Sequence, residues 1–571
     1  MADFIKTQNS FSDGEVAPEF FARDNLNGLS RLENMDVLGG GGLRRRRGLA
    51  TVAELSDTGR LVPFSVSDTE NYLLVLTDGY IQIYQDDEFV TNVVVPWDTS
   101  ALDKIQYAQR FDTMIFVHPD YPPQVLQKSG TSFQVKQFSF SRNDSDMSVN
   151  IPFMRFDDSA DIKITVTSNS LGNNFATFTT NQDFWTADNQ DGYFMLLGKM
   201  WVITDYINAT TVYAYTNGTY TLPSDPVTDW QEAAFSDRRG WPCSITFHQD
   251  RLVFGGSRSW PGGIWMSRVG QHKNFNVGTG LDDEAIFITL LSQQRQQICT
   301  IVSSDTLQIL TNVGEWAIAS KPVTPSVVDI RQHTSVGSVS SRYLPPHKIE
   351  GATVFISAGK QDIRELSLDQ LGEHYNATDL CTAAKHLMQD PVDMSYSDAT
   401  RQLFVVMANG DMAVLNQNSA LGISAWGRYK TQGQFKSVAT VNGTTYVIVA
   451  RGDTLYLEKF SADALNDGGT YGFSFTAAAM PLRASGHNAT RMKIRKISVR
   501  VLDTKTLFIN DARAPLPNAI YDDASPGYSG DVSVNVLGTQ RNCVNAPWKI
   551  SSSEQLPTNI LSVAIYGYYT V

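Results

Sequence analysis

The stretch Tyr72-Leu-Leu-Val-Leu-Thr-Asp-Gly-Tyr-Ile-Gln-Ile-Tyr84 decides the fold class. Two short runs of Leu, Val, Ile and Tyr flank Asp78-Gly79, and Asp and Gly tolerate the positive φ angles that a two-residue hairpin turn demands. The segment therefore predicts two antiparallel strands joined by a tight turn.

Working outward, the same unit recurs. Thr113–Val117 leads to Gln124–Leu126, Arg251–Phe254 to Gly263–Met266, Leu307–Leu310 to Glu315–Ile318, Thr353–Ile356 to Ile363–Leu366, Leu403–Met407 to Met412–Leu415, and Thr445–Val449 to Thr454–Leu457. From residue 245 onward these hairpins repeat every 45 to 55 residues, about the period of a four-stranded propeller blade. The expected fold is all-β: a β-propeller of about six or seven blades.

Two regions depart from the repeat. Residues 141–240 carry other strands, such as Asp161–Val166 and Lys199–Ile203, and read as an inserted β domain. After about residue 485 the blade pattern stops, and Arg491–Val501 alternates basic with apolar side chains, as a strand with one solvated face does. The chain thus divides into an N-terminal assembly segment (1–60), first blades (61–140), the insertion (141–240), remaining blades (241–485) and a small C-terminal β domain (486–571).

Composition narrows the function. With 46 Lys+Arg against 59 Asp+Glu the net charge is −13, which disfavours non-specific attraction to nucleic acid or anionic membrane. The start MADFIKTQNSFSDGE has no basic or apolar export region and no apolar run reaches membrane-spanning length, so cytosolic synthesis is expected. Cys243, Cys299, Cys381 and Cys543 are far apart and form no CxxC pair, so they read as reduced core residues.

Catalytic constellations are missing from the pattern. The histidines at 118, 248, 272, 333, 347, 374, 386 and 487 form no HxxxH, HExxH or HxH pair, so no metal is expected. No nucleophile elbow or phosphate loop occurs, and Gly39–Gly42 leads into four arginines rather than a helix start. The acidic cluster Asp282-Asp283-Glu284 reads as a solvent-facing loop, because adjacent strand carboxylates point to opposite faces. Arg451-Gly-Asp453 reads as a hairpin turn. No cofactor and no enzymatic activity are expected.

Arg44-Arg45-Arg46-Arg47-Gly48 is the most unusual local feature, since adjacent guanidinium groups repel unless acidic or phosphate partners stand nearby. Three partners are open: solvent or acids of the same chain, an acidic surface of a neighbouring subunit, and DNA phosphate.

Several blocks resemble one family, the tail tubular protein B or nozzle proteins of short-tailed bacteriophages, related to phage head-to-tail stabilisation proteins. The opening FSDGEVAPEFFARDNLNGLSRLENMDVLGGGGLRRRRG (11–48) is similar at Phe11, Gly14, Glu15, Pro18, Arg23, Asp24, Asn34, Arg46, Arg47 and Gly48. The middle is similar at Arg239-Gly-Trp-Pro242, Phe247–Gly270, Asn274-Phe275 and Asp282-Asp283. Farther on stand Gly314-Glu-Trp316, Thr324-Pro325, Gly337-Ser338, Trp426-Gly-Arg428, Gly433, Phe435 and Arg451, with Tyr429 where the family pattern calls for His.

The resemblance implies a non-enzymatic virion protein in the phage tail, assembled in the host cytoplasm. It implies a hexameric ring below the adaptor (tail tubular protein A) and portal, retaining packaged DNA and passing it during ejection without sequence-specific binding. Tail fibre or tail-tip proteins and a transient host-envelope contact are further expected partners. A ring needs two unlike patches per subunit, and Phe11, Glu15, Arg23, Asp24, Arg44, Arg45, Arg46 and Arg47 are the candidate interface residues. An acidic lumen would let DNA slide, since a basic wall would hold it by counterion release. The alternative is a tail module that binds a host-surface glycan receptor.

Overall fold

The computed structural model describes residues 2–22, 27–144, 147–168, 174–218, 220–292, 294–369, 372, 374–466, 475–479, 491–517, 526–535, 540–541, 549–552, 554 and 556–570. Cys543 and His487 lie outside them. All the predicted hairpins form: six are the central strand pair of a four-stranded antiparallel sheet, and the seventh, Gln402–Met407 with Met412–Asn418, is the central pair of four antiparallel strands at one end of a ten-stranded sheet. In the deciding hairpin, Asn71–Thr77 pairs with Tyr80–Gln85, and of the two turn residues only Gly79 takes a positive φ, +69°.

These sheets are propeller blades, numbered here in order of their central hairpins: residues 60–94, 106–137, 244–289, 298–334, 347–379, 391–429 and 434–461. The fold is a β-propeller, and the described residues resolve the count at seven blades. Alternation explains why the sheets pack. Blade 1 turns Leu61, Leu73, Val75 and Tyr84 to one face, where they meet Val441 and Ile448 of blade 7. Full burial of such side chains contributes about 1.5–3 kcal/mol each.

The chain falls into two compact units, residues 1–92 with 344–571, and residues 93–343. In the first unit, blades 5, 6, 7 and 1 stand side by side in that order, each touching the next. Blade 7 draws its fourth strand from the other end of the sequence: Gly48–Leu55 pairs antiparallel with Thr454–Ser461. Residues 48–55 therefore belong to the propeller and not to a separate N-terminal segment. A strand with two free edges exposes unpaired backbone groups, and filling the open edge of blade 7 removes them.

The C-terminal module also departs from its expected boundary. Its central strand Arg491–Thr504 lies between Tyr528–Asn535 and Asn559–Thr570, and the same sheet takes in Ala2–Gln8, Met35–Val37 and Leu43–Arg45. Residues 486–571 thus do not close a domain by themselves. Along the central strand Ile494, Ile497, Val499 and Val501 enter a core with Phe11, Leu29 and Leu43, while Arg495, Lys496 and Arg500 stay exposed.

The second unit holds blades 2 to 4, whose first strands touch in sequence. Residues 153–233 form a seven-stranded antiparallel sheet with its own aromatic core, including Trp185, Trp201 and Trp230. Its first long strand begins at Ile164; Asp161–Lys163 precede it.

Candidate functional site

Of the six predicted interface residues that are described, four turn inward. Phe11 is 1% exposed and its N–H donates to Gly41 O at 2.8 Å. The Gly39–Gly42 run is a pinned turn, with Gly41 at φ +81° packed so closely on Ser10 that a Cβ would overlap it. Arg23 and Asp24 lie outside the described residues.

Glu15 sits on the two-residue strand Gly14–Glu15, which pairs in parallel with Gly28–Glu33 and, at Gly14, with Trp426 of blade 6. Its carboxylate is fully buried and accepts a fork of hydrogen bonds from Arg428, Nε to Oε2 at 3.1 Å and Nη2 to Oε1. Leu32 N–H donates to Oε2 at 2.8 Å, and His386 Nε2 lies 2.9 Å from Oε1. Burial alone would raise this carboxyl, but the bonds from His386 and Arg428 outweigh it and hold the carboxyl below its ordinary value.

The four arginines split in pairs. Arg44 is exposed and forms an ion pair with Asp36 at 3.3 Å. Arg45 points the other way, donating to Leu556 O at 3.1 Å and to Glu554 O. Arg46 is 1% exposed: Nε donates to Asn34 Oδ1 at 2.8 Å, Nη1 to Arg47 O at 2.7 Å and Nη2 to Lys430 O at 3.0 Å. Its guanidinium stands 5.2 Å from the Tyr429 ring and 5.5 Å from that of Phe460. Burial lowers both Arg45 and Arg46 to about 10, so each remains charged at neutral pH. Arg47 is exposed.

This placement corrects the interface expectation for Phe11, Glu15, Arg45 and Arg46. Charges that are already paired and desolvated inside the subunit cannot dock on a second surface without breaking those contacts, which costs about 3–5 kcal/mol for a buried pair. Arg44 and Arg47 are the members of the set that present side chains at the surface.

Sequence reasoning did not assemble the partners. Buried Tyr429 donates its hydroxyl to Asp36 Oδ1, and Gln402 Nε2 donates to the same oxygen at 3.0 Å. Burial pushes the Tyr429 hydroxyl well above its ordinary value, so it stays a donor. A tyrosine at this position serves Asp36 and stacks under Arg46. The only sequence signal was the place of Tyr429 in Trp426-Gly-Arg-Tyr429; nothing local pointed to Asp36 or Gln402.

The middle blocks behave similarly. Arg239 forms ion pairs with Glu232 and with Asp158, the latter at 2.9 Å, and stands 4.1 Å from the Phe156 ring. Asp283 pairs with Arg268 at 2.5 Å in an exposed loop, as expected for the acidic cluster. Glu284 departs from it: the side chain is buried and its Oε2 accepts from the N–H groups of Leu281, Gly280 and Thr279 at 2.7–2.9 Å. Those bonds, from Leu281 foremost, hold its carboxyl below the ordinary value. Arg451 is the end of a hairpin strand, pairs with Glu458, and precedes Gly452 at φ +60°.

Among the described residues no three His, Cys, Asp or Glu side chains converge as metal ligands, and no helix is long and apolar enough to cross a membrane.

No protein-family model and no curated protein matches the chain. Among solved structures it is similar to BamB from Moraxella catarrhalis (11% identity, TM-score 0.34, covering 73% of this chain and 100% of that one). It is also similar to the Cps50 (Swd1) β-propeller domain of Myceliophteria thermophila (7%, 0.36, 72% and 99%) and to the RRP9 WD40 repeats (8%, 0.35, 73% and 100%). At these levels the likeness carries no information on function.

Proposed function

We propose that the chain is a structural protein of a short phage tail: a nozzle subunit that forms a hexameric ring beneath the adaptor and portal, holds packaged DNA in and passes it during ejection. The observation that carries this reading is the meeting of the two separated blocks of resemblance, the opening at Phe11–Gly48 and the Trp426-Gly-Arg428 block. Glu15 of the first is bonded to Arg428 of the second, and Arg46 of the first stacks over Tyr429 beside the second. Residues that must meet in space to join the N-terminal segment to blade 6 form a coupled set, and coupled sets are a stronger basis for a resemblance than isolated short motifs. Assembly in this reading falls to the exposed remainder, including Arg44 and Arg47, whose contacts to an acidic neighbour would add about 1.5–3 kcal/mol each when desolvated.

The test is electron microscopy of particles assembled by the encoding phage without this gene, with packaged DNA quantified alongside. The expected result is filled heads lacking the distal tail, or heads that leak DNA. Complete tails that retain DNA but fail to adsorb would overturn the nozzle role in favour of receptor binding.

A further inference from the structure

The solvent face of the C-terminal sheet is the first of two complementary surfaces. Ile5 of Ala2–Gln8, Tyr566 of Asn559–Thr570 and Lys496 of Arg491–Thr504 stand opposite one another across three paired strands, so their side chains share one face. The opposite face of the sheet puts Ile494, Ile497, Val563 and Ile565 into the core. Ile5 is 68% exposed, and Arg495 and Lys496 are exposed as well. Arg495 stands 4.7 Å from the Tyr568 ring and Lys496 5.5 Å from the Tyr566 ring, and among the described residues neither forms an ion pair. The face also carries Asp3, opposite Tyr568, and Asp531, which pairs with Arg500.

The second surface lies on the inserted sheet. Residues 153–233 hold ten Asp and Glu against three Lys and Arg, a balance of −7 that is more than half of the −13 of the whole chain. A cleft of about 320 Å³ is lined there by Leu196, Leu197, Trp201, Tyr220 and Pro223, with Lys199 as its cation. Leu197 is 56% exposed, and Leu222, between Thr221 and Pro223 of the lining, is exposed too. Asp225 follows two positions after Pro223, and Asp229 O accepts from Leu197 N–H at 3.3 Å. Both aspartates are exposed and, among the described residues, form no ion pair. Large apolar side chains held in water beside uncompensated charge mark a contact surface. One of these two surfaces is cationic and the other anionic.

We infer that the two surfaces dock on each other between copies of this chain. Ile5 and the tyrosine row of one subunit seat on the apolar cleft of the next subunit's inserted sheet, and Arg495 and Lys496 meet Asp225 and Asp229. Tyrosine and arginine around an apolar anchor are the composition of a protein contact core, whereas an aliphatic side chain in line with Tyr566 gives a nucleobase no ring to stack on. Opposed charge sets partner and register, and the apolar contact supplies affinity. Because the two patches are unlike, the contact is head-to-tail, and a rotation that closes it makes a ring. The inference rests on the ring of the proposed function and names an interface for it.

The test is sedimentation of the full chain from about 1 to 100 μM. Concentration-dependent self-association is expected, weaker at about 0.5 M than at about 0.1 M salt. Arg495→Glu with Lys496→Glu should weaken it by about tenfold or more, and Asp225→Lys with Asp229→Lys by a similar factor. All four positions are exposed, so the unfolding midpoints should stay at the wild-type value. The chain carrying all four changes again opposes unlike charges at every contact and should associate within about threefold of wild type. A chain that stays monomeric across the range, reversals that add in the fourfold variant instead of cancelling, or a single-stranded oligonucleotide that binds and competes with association would each overturn the interface. Such a failure leaves the tail role to the gene-deletion experiment, whose outcome depends on no particular contact.

Discussion

Glu15 and Arg428 stand 413 positions apart in the sequence and face each other as a forked carboxylate–guanidinium pair, with Glu15 fully buried and Arg428 a quarter exposed. The pair joins the short N-terminal strand to the last strand of blade 6, next to the parallel bridge between Gly14 and Trp426. Two planar groups matched edge to edge fix distance and orientation together, which a single-point ammonium contact does not.

Arg428→Ala should destabilise the protein by about 3–5 kcal/mol, because it strands a buried carboxylate. Arg428→Lys should recover only part of the loss, since the fork is not restored. Denaturant midpoints of the three proteins check both expectations.

The same pair sets an acid limit. The folded-state Glu15 carboxyl is held below its ordinary value, so its stabilising contribution is complete above the unfolded value of about 4.3 and is lost as pH falls through the lower folded value. Wild-type protein should therefore lose stability more steeply below about pH 4.5 than Glu15→Gln, which carries no titrating group there. Thermal midpoints measured from neutral pH down to about pH 3 give the comparison; parallel curves would contradict it.

Tyr429→Phe removes the hydroxyl that donates to buried Asp36 and leaves Gln402 and Arg44 as its bonded partners. The expected cost is about 1–3 kcal/mol, the price of an under-satisfied buried carboxylate oxygen. In an Asp36→Asn background the same change should cost less, and a double-mutant cycle reads the difference directly.

At Gly14, φ is +62° and an added Cβ would lie 2.3 Å from the Trp426 carbonyl oxygen. That oxygen is backbone and cannot swing away, so Gly14→Ala combines a left-handed conformation with a steric overlap. A loss of about 3 kcal/mol or more is expected, against about 1–2 kcal/mol for Gly79→Ala, which shares the left-handed φ at +69° but whose added Cβ meets open space. Hydrogen exchange should localise the Gly14→Ala effect to the strands Gly14–Glu15 and Gly28–Glu33.

Much of the propeller was legible in the chain because its signals are local. A hairpin such as Tyr72–Tyr84 needs only alternating side chains and a turn that accepts a positive φ, so each blade's central pair declares itself within about fifteen residues. The alternation of Arg491–Val501 was equally readable, and Ile494, Ile497, Val499 and Val501 do enter the core while Arg495, Lys496 and Arg500 stay out. The acidic loop was half right: Asp283 is exposed, but Glu284 is drawn in by three backbone N–H groups, a pairing that depends on how the loop curls.

What lay beyond the sequence was every decision made between distant segments. Nothing in Gly48–Leu55 says that its partner is Thr454–Ser461, since any strand of matching alternation offers the same backbone donors and acceptors. Four consecutive arginines announce only that their charge must be compensated. The tertiary structure decided that Arg46 would be compensated inside, by Asn34, two carbonyls and the Tyr429 ring, and Arg44 at the surface by Asp36. The chain alone determined which segments become strands, because that depends on side-chain period and turn chemistry; the folded state alone determined which charges are buried and with whom, because desolvation and pairing are properties of a neighbourhood.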